Sequence, residues 1–145
     1  MNLIKKIVSK LIQVPENRFH PLVFINGLPK IGKNVCIGFF SEVNAKNATV
    51  TIGDNCDIAS FVAINAADSH KRCLEKLDYI ERGEITLERN VFVGSHSFIG
   101  GGVYLGHHTV VAAGTIIAKP VKVPPYSLVI GNPFVVKEGY FQKKI

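Results

Sequence analysis

Nine aliphatic residues stand six apart without interruption: Leu87, Val93, Ile99, Leu105, Val111, Ile117, Val123, Val129 and Val135. Neither kind of regular secondary structure gives that spacing, because helices repeat a face every 3.6 residues and strands every 2. A period of six belongs to a solenoid, in which each short strand ends in a turn and one side chain per unit stacks into a common core. The neighbours of these residues fit the same picture. The residue after each is often tiny (Gly94, Gly100, Gly106, Ala112, Ala118), and the fourth after each is often small or β-branched (Val91, Ser97, Val103, Thr109, Thr115). A corner needs little bulk beside its inward residue, and a flat strand favours β-branched side chains.

The beat starts near Ile25 and runs through Ile31, Ile37 and Val43. It slips by three residues across 44–51 and resumes at Ile52, Ile58 and Ile64. Between Ala66 and Glu84 it vanishes into a charged stretch flanked by regular repeats. Insertions of this kind leave a solenoid as loops on one face and often carry its function. Residues 25–136 are thus assigned to an all-β solenoid, 66–84 to an excursion loop and 137–145 to a C-terminal tail. Residues 1–24 form an N-terminal cap. Within it, 2–13 read as an amphipathic helix with Leu3, Ile4, Ile7, Val8, Leu11 and Ile12 on one face, ended by Val14 and Pro15. A solenoid end needs its last rung hidden, so a capping helix is favoured over a membrane-surface anchor.

Composition excludes several classes. At 145 residues, with 47% hydrophobic and 19% charged residues, the chain is neither disordered nor coiled coil, and one domain is expected. No apolar run approaches a membrane span, and residues 1–24 lack the apolar core and cleavage site of a signal peptide. Cys36, Cys56 and Cys73 are odd in number and have no metal-ligand spacing, so packed, reduced thiols and a cytoplasmic location are expected. The net charge of +6 is concentrated at the ends: residues 1–30 and 117–145 each carry five Lys or Arg against one acid. No nucleic-acid motif accompanies these basic residues and they do not interleave with aromatics, so no nucleic-acid partner is expected.

The segments VTIGDNCDIAS (50–60), SHKR (69–72), NVFVGSHSFIGGGVYLGHHTVVAAGTIIAKP (90–120) and VPPYSLVIGNPFVVK (123–137) together resemble the hexapeptide-repeat acyltransferases. The likeness is greatest to the sugar O-acetyltransferase group that includes maltose, galactoside and xenobiotic acetyltransferases. It implies a left-handed parallel β-helix of triangular section with three hexads per coil, to which the short N-terminal capping helix read above is added. It also implies a homotrimer with active sites between subunits and acetyl-CoA as donor; no metal is expected, since the cysteines lack ligand spacing. The handedness rests on the resemblance alone, since left-handed crossovers are otherwise rare.

Alcohols are poor nucleophiles at neutral pH, so acetyl transfer from a thioester to a hydroxyl needs a general base. A histidine is suited to that role. By resemblance His70, at the start of the excursion, is that base. Asp68 orients its ring or is an ordinary turn residue. The same resemblance assigns Ser95, Ala113, Gly114 and Ala118 to the pantetheine channel, and Lys119 to the nucleotide end. The family's Thr-Lys pair reads Ala118–Lys119 here, and Val135 stands where a cation is common, so Lys137 or Lys122 is the candidate that compensates at the phosphates. Arg72, Tyr79, Arg82 and Asn44 are candidate acceptor contacts. His96 lies in a rung turn, and His107 and His108 sit where turns carry polar residues. A zinc hydrase of the gamma-carbonic-anhydrase type shares the solenoid, but the position expected for its third histidine is Gly101. The function expected is acetyl transfer to a saccharide hydroxyl in polysaccharide or glycolipid biosynthesis. N-acetylation of a nucleotide-linked amino sugar and a non-catalytic structural solenoid are the alternatives.

Overall fold

The six-residue beat becomes three flat faces of a prism. The protein is described from a computed structural model covering residues 2–14 and 16–142. After helix α1 (Leu3–Leu11), each coil supplies one short strand to each face. The first coil holds β1 (Phe24–Gly27), β2 (Lys30–Ile31) and β3 (Cys36–Ile37), and the second β4 (Glu42–Ala45), β5 (Val50–Ile52) and β6 (Asp57–Ile58). The third begins with β7 (Ala63–Asn65), leaves the prism through β8 (Ala67–Asp68), α2 (His70–Cys73) and β9 (Glu81–Arg82), and returns as β10 (Ile85–Leu87) and β11 (Phe92–Val93). The fourth holds β12 (Phe98–Gly100), β13 (Val103–Leu105) and β14 (Val110–Val111). The fifth holds β15 (Ile116–Ile117), β16 (Val121–Val123) and β17 (Leu128–Gly131), and β18 (Phe134–Lys137) follows.

The strand register shows why the period is six. On the first face Ile25, Val43, Ile64, Ile99 and Ile117 pair in sequence. On the second face Ile31, Ile52, Leu87, Leu105 and Val123 do so. On the third face the column is Ile37, Ile58, Val93, Val111 and Val129. All pairs are parallel, and the columns fill the interior, with Ile64, Leu87, Ile99 and Ile117 fully buried. Each such side chain contributes about 1.5–3 kcal/mol by leaving water. The small or β-branched positions are buried too, and their hydroxyls are satisfied locally. Ser41 Oγ donates to the Ala59 carbonyl at 2.8 Å, Thr115 Oγ1 to that of Ala112 at 2.6 Å and Ser127 Oγ to that of Pro124 at 2.7 Å.

Three expectations change. Val135, ninth in the aliphatic series, is not a rung. The chain turns back after Gly131 (φ +101°), and β18 pairs antiparallel with β17, leaving Val135 57% exposed. The N-terminal helix forms where expected, with Asn2 Oδ1 accepting from the Ile4 amide at 3.1 Å as its cap. It rests on the chain through Ser9, which is buried, and through Lys5, whose Nζ donates to the Phe19 carbonyl at 3.1 Å. Its apolar side chains Leu3, Ile4, Ile7 and Leu11 point outward, and Ile25 and Ile31 of the first coil stay only half-buried. Pro15, expected to end the helix, lies outside the described residues. Of the three cysteines only Cys56 is packed inside, where burial pushes its thiol up and Sγ donates to the Glu88 carbonyl. Cys36 and Cys73 are exposed. Among the described residues no helix is long and apolar enough to cross a membrane.

Candidate functional site

Both irregularities of the beat fall at one corner. The three-residue slip lies between β4 and β5, and the excursion lies between β7 and β10, so each occupies the corner from the first face to the second in successive coils. The excursion is anchored at its base. Its strands β8 and β9 pair antiparallel, the Gly83 amide donates to the Ala66 carbonyl at 2.9 Å, and the Gly102 amide donates to that of Glu84 at 2.8 Å. Glycine is required at 83, because a Cβ there would stand 2.6 Å from the Gly102 nitrogen. Lys71 Nζ, 3.0 Å from Glu81 Oε1, ties the single turn α2 to β9.

This frame fixes His70. Asp68 Oδ1 accepts the His70 backbone N–H at 3.0 Å and lies 2.6 Å from His70 Nδ1. A carboxylate can only accept, so Nδ1 carries a proton, and in the neutral ring the lone pair is then on Nε2. The His70 amide, and after it the imidazole, hold the Asp68 carboxyl below the usual carboxylate range. Both side chains remain more than half exposed, open to a substrate.

His70 and Asp68 line a cavity of about 610 Å³ between the excursion and the fourth and fifth coils. Lys71 and Glu81 line its loop side, and Asn65, Phe98, Gly100, Gly101, Ala118 and Pro120 line its solenoid side. The structure therefore brings together His70, Asp68 and Ala118 of the residues singled out in the sequence. Arg72 borders a separate depression with Glu75 and Asp78, Tyr79 is exposed, and Arg82 lies in β9 opposite Ala67. Asn44 sits one rung beneath Asn65 and outside the cavity lining.

Ser95, Ala113 and Gly114 lie elsewhere, at the corner from the third face to the first, one full face of the prism away from His70. Space above Gly114 is open, with no atom within 4 Å of a Cβ built there. His96 belongs to this corner as the end of an aromatic column: Phe40 stacks on Phe61 at 5.3 Å, and Phe61 on His96 at 4.9 Å. Lys119 stands over the Phe134 ring and Lys137 over the Tyr140 ring, each at 5.8 Å. His107 and His108 face each other through their Nδ1 atoms at 2.9 Å, with Tyr126 stacked on His108. Among the described residues no three His, Cys, Asp or Glu side chains are grouped to hold a metal ion.

Sequence reading passed over Asn65, Glu81 and Gly100. Asn65 had a signal: on the first face the residue after the inward aliphatic is Asn26, Asn44 and Asn65 in three successive coils, then Gly100. Glu81 had none, since it meets Lys71 only because β8 and β9 pair.

The stacked six-residue rungs match a known family. The model described as "Hexapeptide repeat of succinyl-transferase" covers residues 30–66 and 84–119, half of the chain, and its gap is the excursion. The chain belongs to the hexapeptide-repeat family. It is 36% identical over 109 residues to galactoside O-acetyltransferase of Escherichia coli strain K12, matching 70% of this chain and 52% of that protein. It thus spans about half the length of this relative. Among solved structures, the polySia specific acetyltransferase NeuO superposes with a TM-score of 0.66 at 28% identity, covering 85% of this chain and 64% of that one. AntD, an N-acyltransferase from Bacillus cereus in complex with dTDP and 3-hydroxybutyryl-CoA, shares the fold with a TM-score of 0.69 at 18% identity, covering 81% and 65%.

Proposed function

We propose that the protein transfers an acetyl group from acetyl-CoA to a hydroxyl of a saccharide in polysaccharide or glycolipid biosynthesis, with His70 as general base. The observation that carries this reading is the Asp68–His70 pair, which places the Nδ1 side of the ring against the carboxylate, so that in the neutral ring Nε2 is the basic nitrogen, at a cavity lined by polar side chains. Nε2 takes the proton of the acceptor hydroxyl as its oxygen attacks the thioester carbonyl. The oxyanion is stabilised by backbone amides of the groove, and the same imidazole returns the proton to the departing sulfur as the carbon–sulfur bond breaks. No cysteine is assigned as nucleophile, and transfer is direct.

For the donor, Ser95, Ala113 and Gly114 offer an open strip of small residues against which an extended pantetheine can lie, and Ala118 continues it at the His70 corner. Lys119 and Lys137 supply cations for the phosphates. Because one face separates the two groups in a single chain, the reading includes a homotrimer in which the His70 corner of one subunit meets the Ser95 corner of the next. Arg72, Tyr79 and Arg82 are assigned to a larger acceptor that extends beyond the cavity. Similarity to a galactoside O-acetyltransferase and to a polySia specific acetyltransferase supports a sugar acceptor.

The test is a mass-spectrometric screen of acetyl transfer from acetyl-CoA to neutral and amino sugars, free and nucleotide-linked, with wild type and His70→Ala. Transfer to a hydroxyl, reduced about 10²–10⁴-fold in the variant with coenzyme A binding retained, is the expected result. Near-normal transfer by His70→Ala overturns the mechanism, and transfer confined to amines overturns the choice of acceptor.

A further inference from the structure

On the first face the outward residues Asn26, Asn44 and Asn65 form a ladder of carboxamides with a single polarity. Asn26 Nδ2 donates to Asn44 Oδ1 at 3.2 Å, and Asn44 Nδ2 donates to Asn65 Oδ1 at 3.1 Å. Two backbone amides fix that polarity. Lys46 N–H donates to Asn44 Oδ1 at 3.2 Å and Ala67 N–H to Asn65 Oδ1 at 3.0 Å, and an N–H can point only at oxygen, so neither carboxamide can be flipped. Every oxygen from Asn44 onward is occupied twice, and the donor capacity is passed upward to Asn65.

The next rung ends the ladder. Asn65 pairs in register with Gly100, which has no side chain to accept from it. Asn65 and Gly100 both line the cavity that holds His70. Asn65 Nδ2 has no partner among the described residues. A half-buried amide donor, oriented by two accepted hydrogen bonds and left unpaired beside the reacting histidine, is a ready partner for a substrate oxygen.

We infer that Asn65 is a specificity-determining residue: its Nδ2–H donates to a hydroxyl oxygen of the saccharide next to the one that His70 deprotonates. This rests on the proposed acetyl transfer to a saccharide. The acceptor is favoured over the thioester carbonyl because Asn65 shares the cavity with Asp68, Lys71 and Glu81, a set of donors and acceptors suited to a polyol. Ala118, assigned to the donor, lines the same cavity, so a series of monodeoxy analogues is what separates a sugar oxygen from the thioester oxygen. Asn44, engaged at both ends one rung below, reaches the acceptor only through Asn65.

Asn65→Asp separates this role from a structural one. The carboxylate can still accept from Ala67 N–H and Asn44 Nδ2, so the ladder survives, but it has no donor for the cavity. Steady-state kinetics with wild type, Asn65→Asp and Asn65→Ala are to be read against an active saccharide and its monodeoxy analogues. Both variants are expected to raise the acceptor KM about tenfold, with the KM for acetyl-CoA unchanged and the Tm of Asn65→Asp kept near wild type. One monodeoxy sugar is expected to be a poorer acceptor for wild type by a similar factor, and to lose no further ground in Asn65→Asp. Wild-type acceptor kinetics in Asn65→Asp overturn the inference. So does a loss shared by every acceptor and analogue alike, which assigns Asn65 to the thioester oxygen. If wild type acetylates amines but no saccharide hydroxyl, or nothing at all, the proposed function fails first and the inference falls with it.

Discussion

Both hydrogen bonds from His70 to Asp68, one from the backbone amide and one from the imidazole, land on the same oxygen, Oδ1. The turn that starts α2 and the orientation of the ring are therefore set by one atom. Asp68→Asn can keep an oxygen at that place and so retain the geometry, but it removes the charge that favours the Nδ1–H tautomer and stabilises a protonated ring. The expected result is a fall in kcat of about 10–100-fold with the KM for acetyl-CoA unchanged. An equal rise in KM with kcat preserved points to a binding role instead.

The same pair sets a pH dependence of stability. The Asp68 carboxyl is held below its usual range in the folded protein, so the pair's contribution is present above about pH 3.9, the ordinary carboxylate value, and is lost as pH falls through the folded value. At more than half exposure, screening keeps it below about 1 kcal/mol. The pair between Glu88 and Tyr104 gives a clearer readout because both members shift. The Tyr104 hydroxyl, then the His107 amide, hold the Glu88 carboxyl down, and Glu88 pushes the Tyr104 phenol up. Its stabilisation is present above about pH 4.3, fades as pH falls through the depressed Glu88 value, and fades again as pH rises through the raised Tyr104 value. Tyr104→Phe is expected to lower stability by about 0.5–1 kcal/mol between those limits and by less outside them. Urea titrations at pH 3, 7 and 11 measure this, and a pH-independent difference contradicts the assignment.

Core substitutions separate the true rungs from the false one. Ile99→Ala removes a fully buried side chain stacked between Ile64 and Ile117 and is expected to cost about 2–5 kcal/mol. Val135→Ala, in the reversed strand, is expected to change stability by less than about 0.5 kcal/mol. Chemical denaturation of the two variants decides the matter, and similar costs place Val135 back in the core.

Val135 also shows what a period can report. Spacing encodes how often a side chain meets the interior, and Leu87 to Val129 obeys it because each residue lands on the register of the rung below. Spacing does not encode direction, so a strand that reverses after Gly131 can keep the count while leaving the core. The helix α1 was legible in existence and length, but which of its faces meets the chain is settled by Ser9 and Lys5, two polar residues that an apolar-face reading passes over. At the site, His70 was legible because it starts the one long break in the beat. Asn65 was not, because an asparagine after an inward aliphatic looks like turn chemistry until three are seen stacked in register.

The base of the excursion tolerates no added volume. A Cβ at Gly83 would approach the Gly102 nitrogen to 2.6 Å and the Gly101 carbonyl carbon to 2.7 Å, both of them backbone atoms of the next coil. Gly83→Ala must therefore move β9, and with it the Glu81–Lys71 contact and the cavity wall. Overpacking of this kind costs about 1–3 kcal/mol. The expected outcome is a Tm lowered by roughly 3–9 °C and a loss of acetyl transfer that persists at temperatures where the variant is folded. An unchanged Tm shows the loop base to be softer than its contacts indicate.

The separation of His70 from Ser95 and Ala113 by a whole face makes the shared-site reading testable without a partner-bound structure. His70→Ala removes the base at one corner, and Ala113→Trp blocks the small-residue strip at the other. If sites form between chains, each variant alone is inactive. Subunits unfolded together and refolded as mixed trimers then regain activity wherever an intact His70 corner meets an intact strip. Random mixing in equal amounts gives about a quarter of wild-type activity per site in a cyclic trimer. Recovery near that value, with a trimeric mass by light scattering, supports the assembly. No recovery in mixed trimers, or a monomer that is fully active, means that one chain holds both halves of the site and that the donor crosses the first face itself.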